Sequence, residues 1–181
     1  MAENVVGGLV VRIMERADLE QARKLHNDDT TLLKLHDIRH VSEIEQDDWY
    51  ESISRSRTSR RYSVIELESG DLVGIFRLDQ LDLQNRCALV GLDIVNKYRG
   101  RGYAKTVYDY FFKYLFNEMG LNRLGLVVLD GNDVALNLYR SVGFVEEGRL
   151  RKAIFRGGEF RDLLQFGLLR DEYVTILSRH R

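Results

Sequence analysis

Two glycines separated by one residue mark the stretch of this chain whose residue types best suit chemistry. Gly100, Arg101 and Gly102 follow an apolar run that ends at Val95, and an amphipathic segment begins directly after them. A Gly-X-Gly turn between a strand and a helix lets backbone approach a bound group, and the helix dipole and free amides favour an anion. Arg99 and Arg101 add positive charge. The stretch predicts an anion site, although a merely tight turn would use the same glycines.

The spacing around these glycines excludes two common nucleotide sites. The pattern Gly-X-X-X-X-Gly-Lys-Ser/Thr is missing, and Lys105 stands where Gly-X-Gly-X-X-Gly needs its third glycine. The sequence therefore supports neither an ATPase nor a nicotinamide-dependent enzyme.

Composition and charge limit the classes of protein to which this chain can belong. The 181 residues, 44% of them hydrophobic and none of them Pro, predict one folded domain over 1–181. The 27 Lys and Arg against 28 Asp and Glu give a net charge of -1, which excludes a generic basic nucleic-acid binder. A single cysteine, no signal-peptide pattern and no apolar run of about 18 residues predict a soluble cytoplasmic protein without membrane contact.

Strands and helices alternate around the glycine turn. Strands are expected over 9–14, 61–67, 72–78, 87–95, 123–129, 145–154 and 161–169, and helices over 18–26, 42–54, from Gly102 to Gly120, and 133–142. Asp18 is the expected N-cap of the first helix, and Ser42 with Glu45 forms a capping box for the second. Gly70 and Asp71 mark a hairpin turn. This order predicts one α/β domain with a central, partly antiparallel sheet.

A second motif runs from Asn132 to Phe144 and reads NDVALNLYRSVGF. Here the chain resembles the GNAT superfamily of acyl-CoA-dependent N-acetyltransferases. Their acyl-CoA motif, Arg/Gln-X-X-Gly-X-Gly/Ala, lies over Lys97 to Gly102, and their pattern Asn-X-X-Ala-X-X-Leu-Tyr-X-X-X-Gly-Phe matches the second motif. The resemblance covers nearly the whole chain. It is greatest to the branch of ribosomal-protein N-terminal, spermidine and nucleotide-amino-sugar acetyltransferases.

The resemblance implies a GNAT fold with acetyl-CoA as cosubstrate and no metal. In that fold a single mixed, mostly antiparallel central sheet is flanked by helices and splayed at the acyl-CoA site. The implied cradle for the pyrophosphate is Arg99, Gly100, Arg101, Gly102, Tyr103 and Ala104, with both arginines near the phosphates. The pantetheine arm is expected to contact the backbone of Ile94 and Val95, and Asn132 to reach the arm from the opposite side.

The resemblance also implies catalytic roles. Tyr139 occupies the general-acid position, where a phenol can protonate the departing thiolate. Leu89 stands where many relatives have Glu, so a base is missing there. Since strand side chains alternate, Asp93 faces the same side as Leu89 and could take the proton from an ammonium substrate. The alternative is that Asp93 caps the turn amides or pairs with an arginine.

The implied reaction is acetyl transfer to a primary amine by direct attack in a ternary complex. A polyamine, an amino sugar on a nucleotide and a protein N-terminus remain open as acceptors. Asp28, Asp29, Asp37 and Trp49 lie where relatives build the acceptor pocket, although solvated loop charge would also explain the carboxylates. The alternative function is a CoA-binding regulatory module without turnover. The assembly state is open, with a homodimer among the alternatives.

Histidine and cysteine chemistry is not predicted. His26, His36, His40 and His180 have no Cys or carboxylate at ligand spacing, so surface histidines and no zinc site are expected. Cys87 is expected to be a buried core thiol.

Overall fold

An eight-stranded sheet runs through the computed structural model, which describes residues 4–178. Its strands are β1 (Asn4–Val6), β2 (Leu9–Ile13), β3 (Arg60–Glu66), β4 (Leu72–Asp82), β5 (Cys87–Ile94), β6 (Arg123–Leu129), β7 (Val145–Arg156) and β8 (Glu159–Leu169). They lie in the order β1-β2-β3-β4-β5-β6-β8-β7, and all neighbours are antiparallel except β5 and β6. The predicted mixed, mostly antiparallel sheet is confirmed.

Helices flank this sheet. They are α1 (Leu19–Asn27), α2 (Asp29–Leu32), α3 (Glu43–Arg55), α4 (Tyr103–Phe112), α5 (Asp133–Ser141) and α6 (Arg170–Ser178). A π-helical segment, Lys113–Glu118, continues α4, and the chain turns at Gly120, whose φ is +67°. Within residues 4–178, no helix has the length and apolar character needed to cross a bilayer. The sequence did not predict β1 or α6, and α2 lies within residues 27–40, for which a loop or broken helix was expected.

The parallel pair β5–β6 is short. Cys87, Ala88 and Leu89 pair with Arg123, Leu124 and Gly125, and no register continues beyond them. The strands therefore separate towards the carboxyl end of β5, directly before the glycine turn. This is the splay that the family resemblance implies.

The sheet packs an apolar cluster on each face, because neighbouring strand residues point to opposite sides. On one face Phe76 of β4 stacks on Phe111 of α4, with ring centroids 3.6 Å apart, inside a cluster that also buries Tyr108 and Phe166. Burying each phenylalanine side chain contributes about 1.5–3 kcal/mol. On the other face Ile75 packs with α1 and α3. The first cluster anchors α4, and with it the glycine turn.

Two helix starts were predicted from capping residues. The Ser42–Glu45 capping box is confirmed: Glu45 N–H donates to Ser42 Oγ at 3.3 Å, and Ser42 N–H donates to Glu45 Oε2 at 2.8 Å. Asp18 occupies the predicted N-cap position of α1, but its side chain makes no cap hydrogen bond to that helix. It is buried instead and accepts from Arg12 Nη1 and Ser63 Oγ, each at 2.7 Å. Burial acts to raise the pKa of Asp18, but these bonds outweigh it and hold that pKa below its ordinary value.

Candidate active site

A cavity of about 400 Å³ lies where β5 and β6 separate; we call it the splay cavity. Nine of the residues predicted to bind cofactor or act in catalysis line it: Asp93, Ile94, Arg99, Gly100, Gly102, Tyr103, Ala104, Asn132 and Tyr139. Two predicted residues, Val95 and Arg101, do not. Residues separated by up to 46 positions in sequence are thus brought to one cavity.

The glycine turn gives the splay cavity an anion cradle. Gly100 and Gly102 have φ of +76° and +81°, a backbone region that favours glycine, and Gly102 is the N-cap of α4. No side chain caps the helix, so its first amides stay available. Lys105, in the first turn of α4, also lines the cavity. Free amides at a helix start beside an ammonium group suit a pyrophosphate.

Arg101 does not line the splay cavity. Its Nη1 lies 3.8 Å from Glu66 Oε1, and its guanidinium carbon lies 5.1 Å from the centre of the Tyr98 ring. An ion pair and a cation–π contact therefore hold the side chain on the β3 side of the turn. The sequence placed Arg101 near the phosphates, whereas in the structure Lys105 is the cation of the helix start that lines the cavity.

Arg99 links the cradle to the neighbouring helix α2. Its Nε donates to the carbonyl of Ile94 at 2.9 Å, and its two terminal nitrogens donate to the hydroxyls of Thr30 and Thr31, each at 2.8 Å. Three of the five guanidinium N–H donors are thus used within the protein. Arg99 therefore lines the cavity, but its guanidinium mainly connects the end of β5 to α2.

Strand pairing decides which backbone groups face the splay. Val95 N–H donates to the carbonyl of Val73 on β4 at 2.8 Å. In an antiparallel ladder such bonded pairs alternate with non-bonded ones, so Leu92 and Ile94 turn their backbone groups towards β6. Leu92 lines the cavity and Val95 does not. The structure therefore offers Leu92 with Ile94, in place of the predicted Val95, to an extended ligand.

Asn132 positions the helix that carries the phenol. Its Oδ1 accepts from Ala135 N–H at 3.4 Å and caps α5, and Tyr139 follows on the same helix. Tyr139 is 9% exposed, with edge-to-face ring contacts to Tyr108 and Phe144. Burial raises the pKa of the Tyr139 phenol, although the guanidinium of Arg77 opposes the rise. The phenol is therefore protonated at neutral pH, as a proton donor must be.

A second cavity of about 520 Å³ lies between α1, α3 and the sheet; we call it the helix-face cavity. Arg77 and Asp93 line both cavities, and Arg77 Nε lies 3.3 Å from Asp93 Oδ2. The two cavities therefore share this ion pair, together with Thr31, Leu35 and His36. The pairing of Asp93 with an arginine is the alternative that the sequence left open. Sequence reasoning missed Arg77, which only the register of β4 against β5 brings to Asp93.

The four residues expected in an acceptor pocket divide into two pairs. Asp37 and Trp49 line the helix-face cavity. Asp28 and Asp29 do not, and Asp28 caps α2 by accepting from Thr30 N–H at 2.9 Å. Asp28 therefore has a local structural role.

The remaining chemical candidates are three histidines and one thiol. His26, His36 and His40 line the helix-face cavity, and His180 lies outside the described residues. Residues 4–178 contain no group of three or more His, Cys, Asp or Glu side chains that could hold a metal ion. Cys87 is half-buried, which is less than the full burial expected from the sequence.

Comparisons with known proteins agree with this architecture. A family profile described as an acetyltransferase (GNAT) domain matches residues 11–164. A spermidine N(1)-acetyltransferase of Vibrio cholerae is 28% identical over 167 residues, which are 92% of this chain and 96% of the relative. The putative ribosomal N-acetyltransferase YdaF of Bacillus subtilis is 32% identical over 107 residues, 59% of this chain and 58% of the relative. The crystal structure of spermidine N-acetyltransferase from Vibrio cholerae in complex with CoA and spermine has a TM-score of 0.87 at 27% identity, covering 92% of this chain and 98% of that one.

Proposed function

Because this chain belongs to the GNAT acetyltransferase family, we propose that it moves an acetyl group from acetyl-CoA in the splay cavity to a primary amine in the helix-face cavity. The chain is an acyl-CoA-dependent N-acetyltransferase. The finer steps proposed are direct attack in a ternary complex, Tyr139 as general acid and Asp93 as the group that receives the proton.

One observation carries this proposal: the two cavities meet at Asp93, and the buried phenol of Tyr139 lines the cavity on the cofactor side. A nucleophile that enters from the helix-face cavity and an acyl donor in the splay cavity would therefore meet beside a carboxylate and a phenol. Such an arrangement supports direct transfer, because donor and acceptor reach each other without an acyl-enzyme.

The residues present fit acetyl-CoA. The uncapped amides of α4 and Lys105 suit the pyrophosphate, and the backbone of Leu92 and Ile94 faces an extended arm. When bound, acetyl-CoA would supply a thioester. In the transfer, the acetyl carbon forms a bond to the amine nitrogen and its bond to the CoA sulfur breaks. Asp93 accepts one proton from the bound ammonium, directly or through water, and the free amine then attacks the thioester carbonyl. Tyr139 donates its proton to the sulfur that leaves and is reprotonated by the second proton that the new amide nitrogen loses.

The proposal is tested by thiol release from acetyl-CoA over a panel of amines, with mass spectrometry to detect the gain of one acetyl group on the amine. Turnover of at least one primary amine, at a rate that saturates in both substrates, is expected. Tight acetyl-CoA binding with no thiol release for any amine would contradict the proposal and favour a regulatory CoA-binding module.

A further inference from the structure

We propose that the acceptor amine also carries an anionic group, a carboxylate or a phosphate, which the guanidinium of Arg77 binds where the splay and helix-face cavities meet. This inference rests on the proposed function, because it names the substrate class of the same site.

The first observation is that the N–H donors of the Arg77 guanidinium are not all used within the described residues. Its one ion pair within residues 4–178 is the 3.3 Å contact with Asp93, and its buried Nε has no hydrogen-bond partner in that part of the chain. A guanidinium carries five N–H donors. The Arg77 side chain is 37% exposed and lines both cavities, so an anion in either cavity can reach it.

Arg61, a neighbour on the same face, shows the contrast. Its Nη1 donates to Asp79 Oδ1 and to the carbonyl of Arg60, each at 2.9 Å, and its side chain is 12% exposed. Arg61 is thus occupied by its own strands. Arg77 is the arginine of this face whose guanidinium remains open to a ligand.

The second observation is that the carboxylates of the helix-face cavity already have partners. Asp37 accepts from the side chain and backbone N–H of Arg39, which lowers the pKa of Asp37 to about 2. Glu45 accepts from Ser42 as part of the α3 capping box. Asp93 is paired with Arg77.

A polyamine brings several ammonium groups, which carboxylates with unpaired charge bind best. Among the described carboxylates that line this cavity, Asp37 and Asp93 are each paired with an arginine, and only Glu45 has no ion-pair partner, so a polyamine would lie beside Arg77 with a single unpaired carboxylate. Like-charge contact in a partly enclosed site is the usual means of rejecting a ligand. The lining therefore favours an amine with balancing negative charge.

The third observation is that the pair itself is complementary to such a molecule. Arg77 and Asp93 stand side by side at the junction. An acceptor with an ammonium and a nearby anionic group can exchange this internal ion pair for two matched ones, with Asp93 facing the ammonium and Arg77 facing the anion. The ammonium is then already beside the group proposed to accept its proton.

The test compares matched amines by kcat/KM at saturating acetyl-CoA. Leucine against leucinamide isolates the carboxylate, glucosamine 6-phosphate against glucosamine isolates the phosphate, and spermidine represents the polyamines. The anionic member of at least one pair is expected to be better by about ten- to a hundredfold, the range of one charge-assisted contact. The pair that responds identifies the anion.

Variants assign the preference to Arg77. Arg77→Gln is expected to remove the preference within the pair, and Arg77→Glu to reverse it and to raise turnover of spermidine. Arg16→Gln is the matched control, because Arg16 lies at the α1–α3 surface, pairs with Asp47 and lines neither cavity. It removes the same charge and should leave the preference intact. Acetyl-CoA affinity, measured by titration, verifies that each variant is folded.

Titration of glucosamine 6-phosphate and of leucine into the CoA-bound protein provides a readout that does not need turnover. Binding that disappears in Arg77→Gln would support the anion site even if no amine were acetylated, which would contradict only the proposed function. The inference is overturned if spermidine is the best substrate of the wild type, if neither pair shows a preference in turnover or binding, or if Arg77→Gln keeps the preference.

Discussion

The guanidinium of Arg77 on β4 lies directly over Gly91 on β5. The two residues are opposite each other in the antiparallel register, and a Cβ at position 91 would stand 2.7 Å from Arg77 Nη2. Because Gly91 has no side chain, the side chain of Arg77 has room to extend across β5 to Asp93.

Gly91→Ala should therefore move Arg77 without unfolding the protein. The atoms that must shift are the end of a flexible side chain, and Gly91 does not have a positive φ. We expect the KM of the acceptor amine to rise by about tenfold, or ~1.4 kcal/mol, while the Kd of acetyl-CoA is unchanged. Steady-state kinetics and calorimetric titration measure the two. Wild-type kinetics in the alanine variant would show that the position of Arg77 does not matter.

Tyr139→Phe should lower kcat and leave acetyl-CoA affinity nearly unchanged. The ring contacts with Tyr108 and Phe144 remain, and only the hydroxyl is removed. General-acid help is typically worth about a hundredfold to ten-thousandfold. A loss in kcat and kcat/KM together would identify an interaction of the transition state. Unchanged turnover on a good amine would rule out the general-acid role.

Asp93→Asn tests the proton acceptor. The amide keeps the size of the side chain but cannot take a proton, so we expect a lower kcat and a flatter rise of rate with pH. Asp79→Asn is a matched control, because Asp79 also pairs with a β-strand arginine but lines neither cavity. An Asp93→Asn profile with the wild-type slope would assign deprotonation to water alone.

Lys105→Glu and Arg101→Glu test which of these two cations near the glycine turn contributes to acetyl-CoA binding. Lys105 lines the splay cavity, whereas Arg101 faces Glu66 and Tyr98. We expect Lys105→Glu to weaken acetyl-CoA binding by about tenfold or more at low salt, with a smaller effect at high salt. Arg101→Glu should weaken binding less. A larger loss of affinity in Arg101→Glu than in Lys105→Glu would show that Arg101 binds the phosphates, as the sequence predicted.

Asp18→Asn should destabilise the protein in a pH-dependent manner. The pKa of Asp18 is lowered in the folded state, so its ionised form contributes stability above the unfolded pKa, and that contribution is lost as pH falls through the folded value. We expect a cost of about 1–3 kcal/mol near neutral pH that shrinks below about pH 4. Urea unfolding at several pH values measures it. A cost independent of pH would mean that the charge of Asp18 is not involved.

The chain's local patterns predicted most of its architecture. Two strand-like runs joined by the turn residues Gly70 and Asp71 predicted the β3–β4 hairpin, and Ser42 with Glu45 predicted the start of α3, because the determining contacts are a few residues apart. The glycine turn was also recognised, since positive φ at Gly100 and Gly102 is a local demand on residue type.

What could not be predicted depends on distant partners. Asp18 stands at the N-cap position that the sequence predicts, but its bonds to Ser63 of β3 and Arg12 of β2 could not be predicted from the local pattern. Arg101 follows Gly100 in sequence, and its contact with Glu66 of β3 could not be predicted from the local pattern. Arg77 is one charged residue in a strand, and its meeting with Asp93 depends on the exact register of β4 against β5.

The short parallel pair between β5 and β6 divides the sheet into two leaves that are each continuous in sequence. In the first, every strand from β2 to β5 pairs with the strand before it, and the second contains β6, β7 and β8. Each leaf therefore forms its strand pairs within one continuous stretch of chain, and the seam between the leaves adds three residue pairs. The splay cavity thus opens at a seam held by three residue pairs, so a wide opening there takes few backbone hydrogen bonds from the sheet.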